Sequence, residues 1–296
     1  NVETIADGAF AGATLQSITF AEGTKPLTLG TLENTSSSSG VFYGTKITEL
    51  NLGDRIAVLG AYAFYGQTSL TKVTMSENSQ LTAIGQYAFY GTSKLTSVTL
   101  GPNLTTIHRM VFYNSKITSV QIPKSVTLIQ YRAFYASTLA KVDFELGGTE
   151  PLTIEDQVFY GTQFTEITLP ARLETAYKLT SWKKKYSFKN FADIFKSNSK
   201  LKDVNVEPGG KYFASIDGVV YEINSDGVAD TLLFCPPAKT GELSIPKEVR
   251  KVENGAFYNT KLSTIRFEEY EEGDANYGSP LLELGNTTLI HDEQYP

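Results

Sequence analysis

The sequence predicts a β-rich repeat solenoid, a stack of short strands with little helix. Two observations lead to this fold class. One apolar phrase recurs about every 23 residues, and each copy contains an apolar-polar-apolar triplet, the pattern of a half-buried strand. A copy of this length has no room for a strand, two bends and a long helix. Because one copy cannot bury its own apolar side, neighbouring copies are expected to stack and bury it for each other.

The most visible element of each copy is the dipeptide Phe-Tyr. Successive phenylalanines from Phe42 to Phe159 are 22, 25, 23, 22 and 25 residues apart. The segment 81–102 shows the phrase most clearly, and the next two copies match its seven apolar positions. We expect the phenylalanines to form a buried ladder and the tyrosines a second, outer ladder. The dipeptides are Phe42-Tyr43, Phe64-Tyr65, Phe89-Tyr90, Phe112-Tyr113, Phe134-Tyr135, Phe159-Tyr160 and Phe257-Tyr258.

The strand of each copy is predicted at its apolar-polar-apolar triplet. Proline or glycine often follows the triplet, as at Gly101, Pro123 and Pro170, and ends the strand. A Gly-Thr or Asn-Ser pair after Phe-Tyr supplies the second bend. The ten predicted strands start at Ile18, Leu50, Val73, Val98, Val120, Val142, Ile167, Val204, Leu243 and Ile265.

The phrase resembles the BspA-like leucine-rich repeats of bacterial and protozoan surface proteins. Residues 117–134, ITSVQIPKSVTLIQYRAF, match the family pattern position by position, and residues 243–257 match it as well. The resemblance implies a right-handed solenoid of the leucine-rich-repeat type with short parallel strands. Ordinary leucine-rich repeats have an asparagine at one fixed position of each copy. This chain does not keep it, since that position holds Arg55, Asn103, Ser125 and Arg172.

Three segments interrupt the period, and the largest is 171–240. It begins with a possible helix over 171–190 and contains a predicted hairpin that turns at residues 224–227. The residues from Glu222 onward have the spacing of an EF-hand calcium loop, but positions 1 and 12 depart from the calcium-binding pattern. We therefore interpret this segment as a hairpin turn. We interpret residues 1–296 as a single solenoid with an irregular coil and hairpin insertion at about 171–240. Both ends are expected to be cut within a repeat.

Composition excludes several classes of chemistry. The net charge is −6, which disfavours general nucleic-acid binding, and no apolar run is long enough for a membrane span. The single Cys235 is expected to be a buried small residue. The two histidines are too few for a histidine-built metal site, and His108 is expected at the surface. We therefore predict a protein that is not an enzyme, with no cofactor, no metal and no catalytic residues.

Two surfaces are candidates for binding. The middle residue of each strand should point away from the core and present neutral hydrogen-bonding groups to an extended ligand. The outer tyrosines are amphipathic and typical of interfaces; the alternative is that they serve only to cover the rim of the core. The strand candidates are Thr74, Thr99, Gln121, Asp143 and Thr168, and the tyrosine candidates are Tyr65, Tyr90, Tyr113 and Tyr135.

A third candidate is the lysine-rich span 178–202, which contains eight lysines and one acid, Asp193. Trp182, Lys183, Lys184 and Lys185 would grip an acidic glycan, anionic polymer or nucleic-acid strand. A solvated lysine face whose aromatic residues pack on the solenoid explains the same residues.

The function expected from these features is non-enzymatic recognition of a protein or glycan. The resemblance implies an extracellular or cell-surface location and adhesion to host proteins. The alternative is a structural spacer that carries other domains of a longer surface protein. Neither the ligand nor the oligomeric state follows from the sequence.

Overall fold

The computed structural model describes residues 2–175, 191–270 and 283–284. The chain divides into two compact units, and each is described separately. The first comprises residues 1–164, 175–189 and 193–197, and the second comprises residues 165–174, 190–192 and 198–296.

Two rows of strands build the first unit. Seven strands of one parallel sheet lie side by side in chain order, with Ile107 in register between Ile84 and Ile129. These strands occupy the L-x-x-I part of the phrase, where the sequence predicts no strand. They are Thr4–Ile5, Leu27–Leu29, Ile56–Leu59, Ala83–Ile84, Thr106–Ile107, Leu128–Ile129 and Leu152–Ile154.

The second row coincides with the predicted triplets. Three strands form one parallel sheet, Glu49–Asn51, Lys72–Thr74 and Ser97–Val98, and two form another, Ser119–Ile122 and Lys141–Phe144. The strand predicted from Ile18 is wrong, since residues 18–20 form no strand and Ile18 and Phe20 are only half-buried. So short a strand persists only by pairing. The next strand of this row, Glu49–Asn51, is therefore the edge of its sheet.

The second unit contains further short parallel pairs and an antiparallel hairpin. Its strands begin with a parallel pair, Glu166–Leu169 and Asp203–Val206. The hairpin strands Phe213–Ile216, Val219–Ile223 and Ala229–Phe234 follow, and two of them flank the predicted turn at 224–227. Ala229–Phe234 pairs in parallel with Lys251–Val252, which pairs with Glu283–Leu284. The last parallel pair is Thr240–Ile245 and Lys261–Phe267.

The remaining regular elements are short. A strand at Leu173–Thr175 spans the sequence boundary between the units, and two 3-10 helices lie at Ser37–Ser39 and Phe191–Phe195. The helix predicted over 171–190 is wrong for residues 171–175, which form a turn and this strand, and its part from residue 176 lies outside the described residues. Among the described residues no helix is long and apolar enough to cross a membrane. The predicted β-rich solenoid of short parallel strands is confirmed.

A ladder of phenylalanines forms the core of the first unit. Phe89 stacks on Phe112 with ring centroids 5.5 Å apart, Phe112 on Phe134 at 5.3 Å and Phe134 on Phe159 at 5.8 Å. All four rings are fully buried, as predicted. Stacked aromatic pairs contribute about 0.5–1.5 kcal/mol each beyond the burial of their area. The ladder therefore joins each coil to the next along its centre.

A buried polar ladder lies beside the phenylalanines, three residues after each of them. The hydroxyls of Thr45, Thr92, Ser137 and Thr162 each donate to the carbonyl of the phenylalanine in their own coil at 2.8–3.0 Å. The carbonyls of Phe42, Phe89 and Phe134 also accept the backbone N–H of the same threonine or serine at 3.2–3.4 Å, so the hydroxyl is a second donor to each of them. In these coils the backbone and a small hydroxyl side chain together close the bend.

Candidate functional site

The strand candidates of the first unit point away from the core, as predicted. Thr99, Gln121 and Asp143 are exposed and Thr74 is half-buried, while the residues before them are buried. Gln121 lies in register with Asp143, and the Thr99 N–H donates to the carbonyl of Val73 at 3.0 Å.

The strand surface is polar, and part of it is already paired. The carboxylate of Asp143 forms an exposed ion pair with Lys141 at 2.8 Å, and the Thr74 hydroxyl lies 3.5 Å from the carbonyl of Leu50. In the second unit, Thr168 is exposed and lies in register with Asn205.

The tyrosine candidates form one continuous column. Tyr65 stacks on Tyr90 with centroids 5.0 Å apart, Tyr90 on Tyr113 at 4.6 Å, Tyr113 on Tyr135 at 4.7 Å and Tyr135 on Tyr160 at 4.4 Å. Every pair is within 15° of parallel. All five side chains are half-buried, so each has one side in solvent. The predicted outer ladder is confirmed and extends to Tyr160.

Two backbone features hold each tyrosine outward. In the five coils from Phe64 to Phe159, the residue two positions before phenylalanine is left-handed, with φ of 58° at Tyr62 and 59° at Tyr87. The residue after each outer tyrosine is left-handed too, with φ of 68° at Gly91 and 56° at Asn114. Between these bends the phenylalanine turns inward and the tyrosine outward. The backbone N–H of Phe89 donates to the carbonyl of Val111 at 3.0 Å, and this hydrogen bond holds the bends of adjacent coils in register.

A second column of aromatic residues, which sequence reasoning missed, adjoins the first. Tyr62 stacks on Tyr87 at 4.9 Å with planes 5° apart. Tyr62 also meets Tyr65 at 5.6 Å and Tyr87 meets Tyr90 at 5.7 Å, both at about 50°. The signal in the sequence was the residue two positions before phenylalanine, where tyrosine occurs in two successive coils.

Arginines complete this surface. The Arg132 guanidinium lies 4.7 Å from the ring centroid of Tyr131 and 4.8 Å from that of Tyr135, and its Nε donates to Gln157 at 2.8 Å. One coil earlier, Arg109 donates to Gln86 at 2.5 Å. Cation–π contacts and amide hydrogen bonds fix both guanidiniums in place. The surface formed by these columns and arginines is called the tyrosine face below, and comprises Tyr62, Tyr65, Tyr87, Tyr90, Arg109, Tyr113, Tyr131, Arg132, Tyr135 and Tyr160.

The tyrosine face is electropositive, although the whole chain has a net charge of −6. In the coils from Phe64 to Phe159, the stretches from three residues before phenylalanine to five after it contain four cations: Lys94, Arg109, Lys116 and Arg132. The one acid in these stretches is Asp156, which is buried. In the coil after Tyr160, the exposed Lys196 takes the tyrosine position, and its carbonyl accepts a hydrogen bond from the Gly161 N–H at 3.0 Å.

The phenols of Tyr90 and Tyr135 remain neutral hydrogen-bonding groups. Burial raises the pKa of Tyr90, and the neighbouring Tyr113 and Tyr65 raise it further. Burial also raises the pKa of Tyr135, to which Tyr160 and Tyr113 add, while Arg132 acts in the opposite direction. At neutral pH the face therefore presents rows of hydroxyls that can both donate and accept.

The residues of the predicted lysine site, Trp182, Lys183, Lys184 and Lys185, lie outside the described residues. Cys235 is buried, as expected, and burial raises the pKa of its thiol to about 12. Within residues 2–175, 191–270 and 283–284, no three His, Cys, Asp or Glu side chains come together in a way that could hold a metal ion.

Comparison with known proteins gives a family and a fold. The family described as BspA type leucine rich repeat region (6 copies) matches residues 1–80, 35–150, 77–194 and 232–273. None of the curated protein sequences matches the chain.

Two solved structures are similar in fold. The pneumococcal vaccine antigen PcpA superposes with a TM-score of 0.58 at 18% identity, covering 75% of this chain and 55% of that one. This chain therefore spans little more than half the length of PcpA. A leucine-rich cell surface protein of Faecalibacterium prausnitzii A2-165 superposes with a TM-score of 0.55 at 22% identity, covering 90% of this chain and 70% of that one.

Proposed function

The chain belongs to the BspA-type leucine-rich repeat family, and we propose that it is a non-enzymatic recognition module, at the cell surface or outside the cell, that binds a protein through the tyrosine face. The location is supported by the similar structures, one of which is described as a cell surface protein. The observation that carries the binding proposal is the stacked column from Tyr65 to Tyr160 beside Arg109 and Arg132.

Tyrosine and arginine are the residues that protein interfaces favour. Tyrosine offers a large amphipathic surface and loses little conformational entropy, because it has only two side-chain torsions. Here much of that entropy is already lost in the free protein, since Tyr113 is held between Tyr90 and Tyr135. A ligand that docks on the face therefore finds it preorganised.

The stacking also bears on which class of ligand the face suits. Sugars and bases bind tyrosine by covering the flat face of its ring. In the column, those flat faces are taken by the next tyrosine at 4.4–5.0 Å. The ring edges and hydroxyls remain for a ligand, which suits polypeptide side chains and backbone better than a stacked sugar or base. The proposal therefore names a protein rather than a glycan.

The test is to screen the chain against extracellular-matrix proteins and a glycan panel, and then to measure affinity with two triple variants. Tyr90→Ala, Tyr113→Ala and Tyr135→Ala should weaken binding of the captured protein at least about tenfold. Thr74→Glu, Thr99→Glu and Gln121→Glu alter the strand surface and should leave the affinity within about threefold.

A third variant, in which the same tyrosines become Phe, keeps the stack and removes only the hydroxyls, so it serves if the alanine variant does not fold. Loss of binding in the strand-surface variant alone would move the site there. Failure of every protein and glycan to bind would favour the structural spacer.

A further inference from the structure

We infer that the partner segment recognised by the tyrosine face is a carboxylate-rich polypeptide, a stretch of Asp and Glu side chains. This inference rests on the proposed function and names the chemistry of the partner. It is carried by the charge of the face and by the way its arginines and tyrosine rings are presented.

The first argument is charge complementarity. The stretches from three residues before phenylalanine to five after it contain four cations and one buried acid in the five coils of the face. The same stretch of the next coil adds Lys196 and Lys200 and one half-buried acid, Asp193. The rest of the chain is acidic overall, so this is a local concentration of positive charge. Complementary potentials steer association and select the partner.

The second argument is how the guanidiniums are held. Arg132 lies against the rings of Tyr131 and Tyr135 and uses its Nε for Gln157. Arg109 uses its Nε for Gln86 in the same way. Neither guanidinium forms an ion pair with a carboxylate of the described residues. A guanidinium has five donors, and such a fixed fork suits the two oxygens of a carboxylate.

The third argument comes from the rings. An aromatic ring is electronegative on its face and electropositive at its edge. Stacking hides the faces of Tyr90, Tyr113 and Tyr135 and leaves edges and hydroxyl donors at the surface. Both remaining groups favour an anionic oxygen. Flat faces that would stack on a polysaccharide or a nucleic acid are covered, and so the anion is assigned to a polypeptide.

The experiment uses the full chain and fluorescein-labelled peptides. An oligoglutamate peptide of about ten residues should bind at about 50 mM salt and weaken strongly at about 500 mM, because exposed charge pairs are screened. An oligolysine peptide of equal length is the opposite-charge control: the net-acidic chain offers it other sites, but its affinity should not fall when positive charges of the face are removed. The double variant Arg109→Gln and Arg132→Gln should weaken oligoglutamate binding at least about fivefold.

The control is a double variant that removes two positive charges from the strand surface instead of from the tyrosine face. Lys72→Gln and Lys141→Gln remove the same charge from exposed strand positions and should leave oligoglutamate binding within about twofold. If the arginine variant does not fold, Lys116→Gln and Lys196→Gln, which change exposed side chains, should weaken binding in the same direction.

Three outcomes would overturn the inference: no binding of oligoglutamate, equal loss in the strand control, or tighter binding of an acidic oligosaccharide such as oligogalacturonate that the arginine variant abolishes. If oligoglutamate fails while the tyrosine variant still loses a captured protein, the acidic partner is wrong and the proposed function stands.

Discussion

The ring of Tyr113 lies 4.7 Å from that of Tyr135 with planes 2° apart, while the preceding residues, Phe112 and Phe134, stack at 5.3 Å inside the core. One dipeptide per coil thus builds two ladders, one in the interior and one at the surface. The left-handed bends on either side of the dipeptide separate them. The interior ladder stabilises the stack of coils, and the outer one shapes the proposed binding face.

The two ladders should differ in their contribution to stability. Phe112 is fully buried, so Phe112→Ala should lower the free energy of unfolding by about 3–5 kcal/mol. Tyr113 is half-buried and loses two stacking contacts, so Tyr113→Ala should cost only about 1–2 kcal/mol. Chemical denaturation of both variants measures the difference. Equal losses would mean that the outer ladder carries as much stability as the core.

The hydroxyl ladder offers a comparison between two buried serines. The Ser137 hydroxyl donates to the carbonyl of Phe134 at 2.8 Å, whereas the Ser115 hydroxyl has no hydrogen-bond partner among the described residues. Ser137→Ala should therefore lower the free energy of unfolding by about 1 kcal/mol. Ser115→Ala should be neutral or stabilising, because it removes a buried group that makes no bond. Urea unfolding of the two variants decides this, and a larger cost at Ser115 would contradict the assignment.

The bend after the outer tyrosine should tolerate glycine better than alanine. Ala136 has φ of 52° where neighbouring coils place Gly91 (φ 68°) and Gly161 (φ 66°). Ala136→Gly should raise the free energy of unfolding by up to about 1 kcal/mol, since a left-handed alanine is strained by about 1–2 kcal/mol and glycine is not.

The reverse substitution, Gly91→Ala, should lower stability by about 1 kcal/mol. An added Cβ would meet only Gly66 Cα at 3.9 Å, so the cost is the backbone conformation alone. Thermal unfolding of both variants tests the pair; a destabilising Ala136→Gly would show that strain is not the deciding factor.

Stability should fall as pH rises because of Glu155. Burial raises the pKa of this carboxyl from 4.5 to about 7, the adjacent Asp156 adds to the rise, and the Tyr131 N–H, 2.7 Å away, opposes it. Between pH 4.5 and 7 the folded chain holds a proton that the unfolded chain has released. The contribution to stability is therefore complete below about pH 4.5, declines up to about pH 7 and is level above it.

Replacing Glu155 by Gln should remove this decline. One coil earlier, Gln130 occupies the position of Glu155. Its side-chain carbonyl accepts a hydrogen bond from the backbone N–H of Arg109 at 3.2 Å, so an amide side chain suits this position. Glu155→Gln should raise the free energy of unfolding by about 2 kcal/mol at pH 8 and by little at pH 4. Unfolding curves at both pH values, with the exposed Glu49→Gln as a charge control, measure it. A pH-independent gain would exclude titration of Glu155 as the cause.

The burial of His108, at the same bend of the repeat, could not be predicted from its position in the sequence. His108 occupies the place of Gly85 in the preceding coil and is half-buried rather than at the surface, and burial lowers its pKa. At Gly85 a Cβ would lie 2.4 Å from the backbone N of Ala61. The distance between the backbones of two adjacent coils at this bend determines how deeply a side chain is buried there. That distance cannot be predicted from the repeat pattern.

The repeat, the strands at nine of ten triplets, the buried phenylalanines and the outward tyrosines could all be predicted from the sequence, because each follows from apolar periodicity within one coil. It did not reveal the strands at L-x-x-I, since two to four residues are too few for a period and are ordered by pairing with the coils beside them. The stacking of Tyr62 on Tyr87 and the contacts of Arg132 with Tyr131 and Tyr135 depend on how the coils fold and are seen only in the structure. The tyrosine pair joins two neighbouring coils, whereas the arginine contacts lie at a bend within one coil. Both depend on a left-handed backbone conformation at Tyr62, Tyr87 and Arg132, which tyrosine and arginine seldom adopt.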